Sequence, residues 1–309
     1  MAYTAADVKK LREMTDSGMM DCKKALAATD GDMDKAIEWL REKGLATAAK
    51  KAGRVAAEGI CAAYVAESGA PAAVVEVNIE TDFAANNPEF RSFAADLAKL
   101  AAETNPASLE AFMATEFPGA GKSVEDVRKD KVATIRENIQ VRRFARYGEG
   151  MTVSYIHMGG KIGVLLNMEV SENLLGNAAV IELGKDLAMQ VAAMNPLFLD
   201  KSCVDEATIA KEKEILFIQA KQDEKNAGKP DAIIEKMVLG RIGKYYSENC
   251  LMQQDFVKGD KITCEKHVAE IAKSLGGSIA IKGYVRFLTG EGIEKKADDF
   301  AAEVASMVK

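Results

Sequence analysis

The chain is poor in the residues that usually announce chemistry. Its 309 residues include two histidines, one tryptophan, six prolines and five cysteines. His157 and His267 share no metal-ligand spacing with each other or with the cysteines, and no serine-centred elbow accompanies them. The cysteines (Cys22, Cys61, Cys203, Cys250 and Cys264) stand singly. An odd count without close pairs fits reduced thiols in a cytoplasm better than a disulfide framework. No apolar run is long enough to span a bilayer. Residues 1–10 carry Asp7, Lys9 and Lys10 with no apolar centre, so no secretory signal opens the sequence. The net charge is −6, which argues against nucleic acid as the main partner because phosphate binding relies on clustered Lys and Arg.

What is present reads as a folded chain of more than one unit: 48% of the residues are apolar and 28% charged. Three short helices are expected first. Thr4 and Asp7 make a capping pair ahead of Val8, Leu11 and Met14. After Gly18, a second helix carries Cys22, Ala25 and Leu26. A third carries Ala36, Ile37 and Leu40 and is expected to close at Gly44. Together they suggest a compact module like a ubiquitin-associated domain. Lys50, Lys51 and Arg54 lie in a small-residue basic connector and mark a boundary.

A β-hairpin over 59–66 and 72–79 follows, turning at Ser68, Gly69 and Pro71. Asn87 and Pro88 then open a helix whose apolar face is Phe90, Phe93, Ala94, Leu97 and Leu100. A helix over 124–138 and a strand over 139–147 complete the unit. The pattern recurs: a hairpin over 151–158 and 161–170, a helix with Ile181, Leu183, Leu187, Val191 and Met194, a helix near 267–275, and a strand over 278–288. The fold class is therefore α+β, with a duplicated core of antiparallel sheets. Between the helices of the second copy lies an insertion. Ile209, Leu216 and Ala220 on one helical arm can face Ile234, Val238 and Ile242 on the next, across a Gly228-Lys229-Pro230 turn. Such an antiparallel helical hairpin, a coiled-coil insertion, either closes its apolar stripe on itself or meets another chain.

Two features imitate other functions. Gly119-Ala120-Gly121-Lys122-Ser123 looks like the end of a phosphate-binding loop, but Glu116 stands where the motif needs its first glycine. Arg142, Arg143 and Arg146 could suggest RNA. On an alternating strand beside Val141 and Phe144, a solvated sheet face is the better expectation.

Three stretches carry a more specific reading. Met19 and Met20 adjoin at a helix start. Neighbouring helical positions point about 100° apart, so both cannot be equally buried in a small core. Either one is core, or the pair serves a binding surface, where methionine is adaptable. In Glu80-Thr81-Asp82-Phe83-Ala84 the strand pattern has ended and the next helix has not begun. A ring beside a carboxylate there can act as a wedge; alternatively Phe83 folds back on the sheet and Asp82 caps a turn. The third stretch is His157-Met158-Gly159-Gly160-Lys161-Ile162-Gly163, with Gly290-Glu291-Gly292-Ile293-Glu294-Lys295 later in the chain.

In combination and in order, Gly18 to Leu26, Thr81-Asp82-Phe83, the His157 hairpin, Gly228-Lys229-Pro230 and the late Gly-Glu-Gly-Ile-Glu-Lys resemble the elongation factor Ts family. The resemblance covers nearly the whole chain. It implies a ubiquitin-associated-like helical domain with connector over 1–54 and core subdomains over 55–147 and 148–295. It also implies the coiled-coil insertion at about 204–246, and a short helical module over 296–309. It implies a non-enzymatic exchange factor that binds elongation factor Tu, GDP-bound or nucleotide-free, and needs no cofactor, metal, membrane or direct nucleotide contact. Thr81, Asp82, Phe83 and Ala84 match the element that disturbs the partner's bound magnesium. Met19 and Met20, with Arg12 nearby, match a grip on the partner's nucleotide domain, and His157 matches a further contact. Self-association through the hairpin stays open. Two positions depart from the family pattern: Asp16 where a small residue is usual, and Ala84 where valine is usual. A non-exchange adaptor and a phosphate-transferring enzyme using Gly121-Lys122-Ser123 are the rival classes.

Overall fold

The computed structural model describes residues 3–15, 17–259 and 261–294. Asp16, and the module expected over 296–309, lie outside the described residues.

Helices α1 (Ala5–Thr15), α2 (Met19–Ala28) and α3 (Met33–Lys51) open the chain. The capping pair forms as expected: the Thr4 amide donates to Asp7 at 2.7 Å and the Asp7 amide donates to Thr4 Oγ1. Val8, Leu11, Cys22, Ala25, Leu26, Ala36 and Leu40 form a small core of their own. Helix α3 does not close at Gly44. It runs on to Lys51, and a Cβ built on Gly44 would lie 3.4 Å from Ala133. The glycine is an interior contact at which α3 meets a core helix, and Ala48, one turn on, belongs to the main core. One continuous helix thus roots the helical module in the body.

Strands β1 (Glu58–Val65) and β2 (Ala72–Ile79) follow, then the single turn α4 (Asp82–Ala85), α5 (Pro88–Thr104) and α6 (Leu109–Ala114). A ribbon of β3 (Glu116–Phe117) and β4 (Lys122–Ser123) leads into α7 (Val124–Ile135) and β5 (Ile139–Tyr147). The second copy contains β6 (Met151–His157), β7 (Ile162–Val170), α8 (Ala178–Met194), α11 (Cys264–Leu275) and β8 (Ile279–Leu288). Its insertion carries α9 (Glu206–Gln222) and α10 (Asp231–Asn249).

The duplication is detailed. Both antiparallel sheets have three strands, ordered β1-β2-β5 and β6-β7-β8. Helices α5 and α8 are each 17 residues long, N-capped by Asn87 and Asn177 and ended by left-handed Asn105 and Asn195. Helices α7 and α11 are each 12 residues long. Both sheets carry a register shift, at Glu76/Val77 and at Asn167/Met168. The sheets pack face to face through Cys61, Val74, Leu165 and Phe287, while α5 and α8 cover their outer faces. Gly163 permits the approach, since a Cβ there would lie 2.6 Å from that of Cys61. Strand β2, covered on both faces, is buried throughout.

The bulge explains why Arg142 and Arg143 are not a solvated face. Glu76 pairs with Arg143 and Val77 with Val141, so Arg142 is the extra residue. Both guanidiniums reach the fully buried Glu76 carboxylate, at 3.0 Å for Arg142. Glu76 also accepts from the Gly290 amide at 2.8 Å, which ties the second sheet's exit to the first. Arg146 bonds the Ala102 carbonyl and Asn105. The arginines are thus spent inside the protein.

In the insertion, Ala220, Ile234 and Val238 pack with Leu216, Phe217 and Met237, so the two arms do close on one another. Ile215, Ile218, Ile233 and Leu239 remain exposed.

Candidate functional site

The Thr81 turn is anchored more firmly than a free connector. Ile79, the last residue of β2, is fully buried and pairs with Ile139. The Thr81 amide donates to Glu137 Oε2 at 2.9 Å and its hydroxyl donates to Glu137 Oε1 at 2.7 Å. The same hydroxyl oxygen accepts from the Ala84 amide, capping α4. Asn86 closes the turn by donating to the Asp82 carbonyl at 2.9 Å. Ala84 and Ala85 face the core, whereas Phe83 is 88% exposed. Among the described residues, the Asp82 carboxylate has no hydrogen-bond or ion-pair partner. The alternative in which Phe83 folds back onto the sheet is therefore excluded. Ala84 is buried and seats the turn beneath Phe83.

Helix α2 starts on Gly18, which supplies no side-chain cap. Met19 and Met20 are 59% and 60% exposed, so neither is core. The helix buries Cys22, Ala25 and Leu26 instead. Met14, expected on the buried side of α1, is also exposed. Sequence reasoning missed it as a surface residue; its spacing from Leu11 fits the buried face, and only its place at the helix end exposes it. Asp21 holds the first turn down through ion pairs with Lys43 and, at 2.9 Å, with Arg136. The Lys43 contact, reinforced by Arg136, holds the Asp21 carboxyl below its ordinary range. Arg12 is exposed on the wall of a cleft of about 640 Å³, with Lys9 and Glu13 beside it and Glu89, Lys131 and Thr134 of the core opposite.

His157 ends β6, and its Nδ1 lies 3.0 Å from the Tyr155 hydroxyl, with the two rings stacked. The hairpin tip beyond it is fastened to the first subdomain, because Arg91 in α5 donates to the Gly159 carbonyl at 2.9 Å. Gly160 abuts Ile60 closely. Met158, between His157 and Gly159, is exposed and left-handed (φ 47°). It is a second apolar surface residue that the sequence reading did not single out; an unusual backbone angle leaves no trace in residue type.

A model described as Elongation factor TS matches residues 80–291. The chain is 49% identical over 309 residues to elongation factor Ts of Clostridium tetani, covering 99% of each chain. It is 49% identical over 306 residues to that of Clostridium perfringens strain SM101, covering 98% of each. To that of Clostridium kluyveri it is 47% identical over 309 residues, covering 99% of each. The chain belongs to the elongation factor Ts family.

For a member of the elongation factor Ts family, the decoys resolve simply. Lys122 pairs with Asp130 at 2.7 Å and Ser123 caps α7, so the lysine and serine of the apparent phosphate loop have structural partners. His267 stacks on Phe256 at 4.2 Å between ring centres and is structural. Burial raises the thiol pKa of Cys61 to about 11 and of Cys264 to about 12, which makes them packing residues and poor nucleophiles. Among the described residues no group of three or more His, Cys, Asp and Glu is arranged to hold a metal. Nor is any described helix long and apolar enough to cross a membrane. What the surface presents are apolar side chains on rigid supports, which suits protein–protein recognition.

Proposed function

We infer that this chain binds elongation factor Tu, in its GDP-bound and nucleotide-free forms, and promotes release of GDP and its exchange for GTP. It is an exchange factor and not an enzyme. Family membership along the whole chain supports the activity. The observation that carries the site is Phe83, a large apolar ring left almost wholly in water on a turn anchored from both sides.

The physics is linkage. A factor that binds the nucleotide-free partner more tightly than the GDP-bound partner weakens GDP by the same factor. A coupling of about 4 kcal/mol corresponds to roughly a thousandfold. On this reading, the turn from Thr81 to Ala85 carries Phe83 into an apolar pocket of the partner. Asp82 then brings a carboxylate towards the magnesium and phosphate site, where the cation neutralises the nucleotide's charge. Met19 and Met20 grip the partner's nucleotide domain, with Arg12 beside them, and the His157 tip adds a third point of contact. No proton transfer or covalent step is required of this chain.

The domain reading follows the same resemblance. Residues 1–54 act as a ubiquitin-associated-like unit, 55–147 and 148–295 as the two core halves, about 204–246 as a coiled coil, and 296–309 as a terminal module. The exposed residues Ile215, Ile218, Ile233 and Leu239 on the coiled coil suit association with a second copy or an auxiliary hold on the partner. The working compartment is the cytoplasm, in keeping with five cysteines that are all unpaired.

The test is a comparison of affinities. The chain should bind nucleotide-free elongation factor Tu far more tightly than the GDP-bound form, and should bind neither GDP nor ATP alone. Equal affinity for the two forms would leave no coupling with which to expel GDP. Binding of free nucleotide would favour the phosphate-transfer class.

A further inference from the structure

We propose that Arg136, Glu137 and Asn138, the three residues that follow α7, are a positioning bridge. They fix the Met19/Met20 end of α2 and the Phe83 turn relative to one another. The inference rests on the reading of those two places as partner contacts.

Each residue of the bridge holds a different element. The Arg136 guanidinium pairs with Asp21 at 2.9 Å, in the same first turn of α2 as the methionines, and its carbonyl accepts from Lys51 at the end of α3. Glu137 spends both carboxylate oxygens on Thr81, which caps the Phe83 turn. Asn138 is buried. Its amide donates to Glu80 at 2.6 Å and its side chain donates to the Arg54 carbonyl at 2.7 Å, fastening the connector ahead of β1. Consecutive Cα atoms lie about 3.8 Å apart. The two contact elements, remote in sequence, are therefore tethered to neighbouring points on one backbone.

The duplication supplies a control. Arg136 ends α7 in the left-handed region (φ 66°, ψ 26°). The matching helix α11 ends on Gly276 at nearly the same angles (φ 68°, ψ 34°). Glycine is the unstrained residue for that position. The first copy places there a residue with a backbone penalty, and its side chain makes the contact to Asp21. Packing of the cap does not call for arginine; the link to α2 does.

A two-point contact works only if both points arrive together. With the turn loosened, Phe83 still docks but is no longer held in its productive position, so the maximal rate suffers. With α2 loosened, the grip weakens while the wedge is untouched.

The experiment is GDP release from elongation factor Tu by the full chain at increasing concentration, with melting curves. Arg136→Gly should keep or raise the melting temperature, because it relieves the left-handed cap. It should increase the concentration for half-maximal release about two- to fivefold, as loss of a partly exposed ion pair implies. Glu137→Ala should lower the maximal rate on the order of tenfold, the effect of a lost charge-assisted hydrogen bond. Glu137→Gln, which keeps one acceptor, should recover part of that rate. In a Phe83→Ala background, Glu137→Ala should have no further effect. If Phe83→Ala is slow but Glu137→Ala exchanges at the wild-type rate, or if their effects multiply in full, the bridge is refuted and the wedge stands. If Phe83→Ala itself exchanges normally, the wedge reading fails and this inference falls with it.

Discussion

Replacing Phe83 with alanine separates the two things a phenylalanine can do. In the free protein the ring is 88% exposed, so removing it should change folding stability by less than about 0.5 kcal/mol. A core phenylalanine would lose about 3–5 kcal/mol on the same change. A covered aromatic side chain removes about 150–250 Å² from water. At roughly 25 cal/mol per Å², full burial against a partner is an upper figure of about 4–6 kcal/mol. Alanine retains part of that area and the partner relaxes, so a loss of about 2–3 kcal/mol is expected. That corresponds to roughly a 30- to 150-fold slower exchange at limiting factor. Release of a fluorescent GDP analogue from elongation factor Tu gives the rate, and a urea titration gives the stability. A large drop in the urea midpoint with normal exchange would show that the ring supports the fold and that the wedge argument is mistaken.

Met19→Ala combined with Met20→Ala should weaken partner binding by about 1–3 kcal/mol, mostly through faster dissociation; a lower melting temperature at unchanged affinity would return these residues to the core. Glu76→Ala leaves Arg142 and Arg143 facing an empty buried site, so denaturant unfolding should show a loss of about 3–5 kcal/mol. The Asp21 carboxyl is held below its ordinary value of 3.8 by Lys43 and Arg136. Its contribution is therefore full above that value and disappears as pH falls through the lowered one. The stability gap between wild type and Asp21→Asn should close in acid, and a gap that stays constant would contradict the assignment. Removing matched turns from α9 and α10, with the Gly228-Lys229-Pro230 turn kept, should alter association or affinity, read by sedimentation, but leave the exchange rate at saturation intact.

Much of this was legible because regular elements advertise themselves. Asn87-Pro88 opens α5 as its residue types require, and the strand over 139–147 matches β5 end for end. The duplication showed as a repeated order of elements. Two of the failures share one cause: a residue type whose local preference is overruled by a distant neighbour. Gly44 signals a helix end, but Ala133 makes it an interior contact. Arg142 and Arg143 signal a wet surface, yet one bulge aims both at Glu76. Phe83 and Ala84 are neighbours, but the rotation of about 100° between successive helical residues turns one outward and the other inward. Candidate contacts could be named from residue type and order, whereas their supports could not. Nothing in the sequence pairs Glu137 with Thr81, and a hydrogen bond across 56 positions can be seen only in the folded chain.

The most direct measurement is the rate of GDP release from elongation factor Tu, with the intact protein present in less than stoichiometric amount. The account predicts complete and rapid release, with each molecule serving many partners, and a strongly reduced rate when Phe83→Ala replaces the wild type. Release at the spontaneous rate, from a protein shown to be folded and bound to elongation factor Tu, would contradict it and favour an adaptor that docks without exchanging nucleotide.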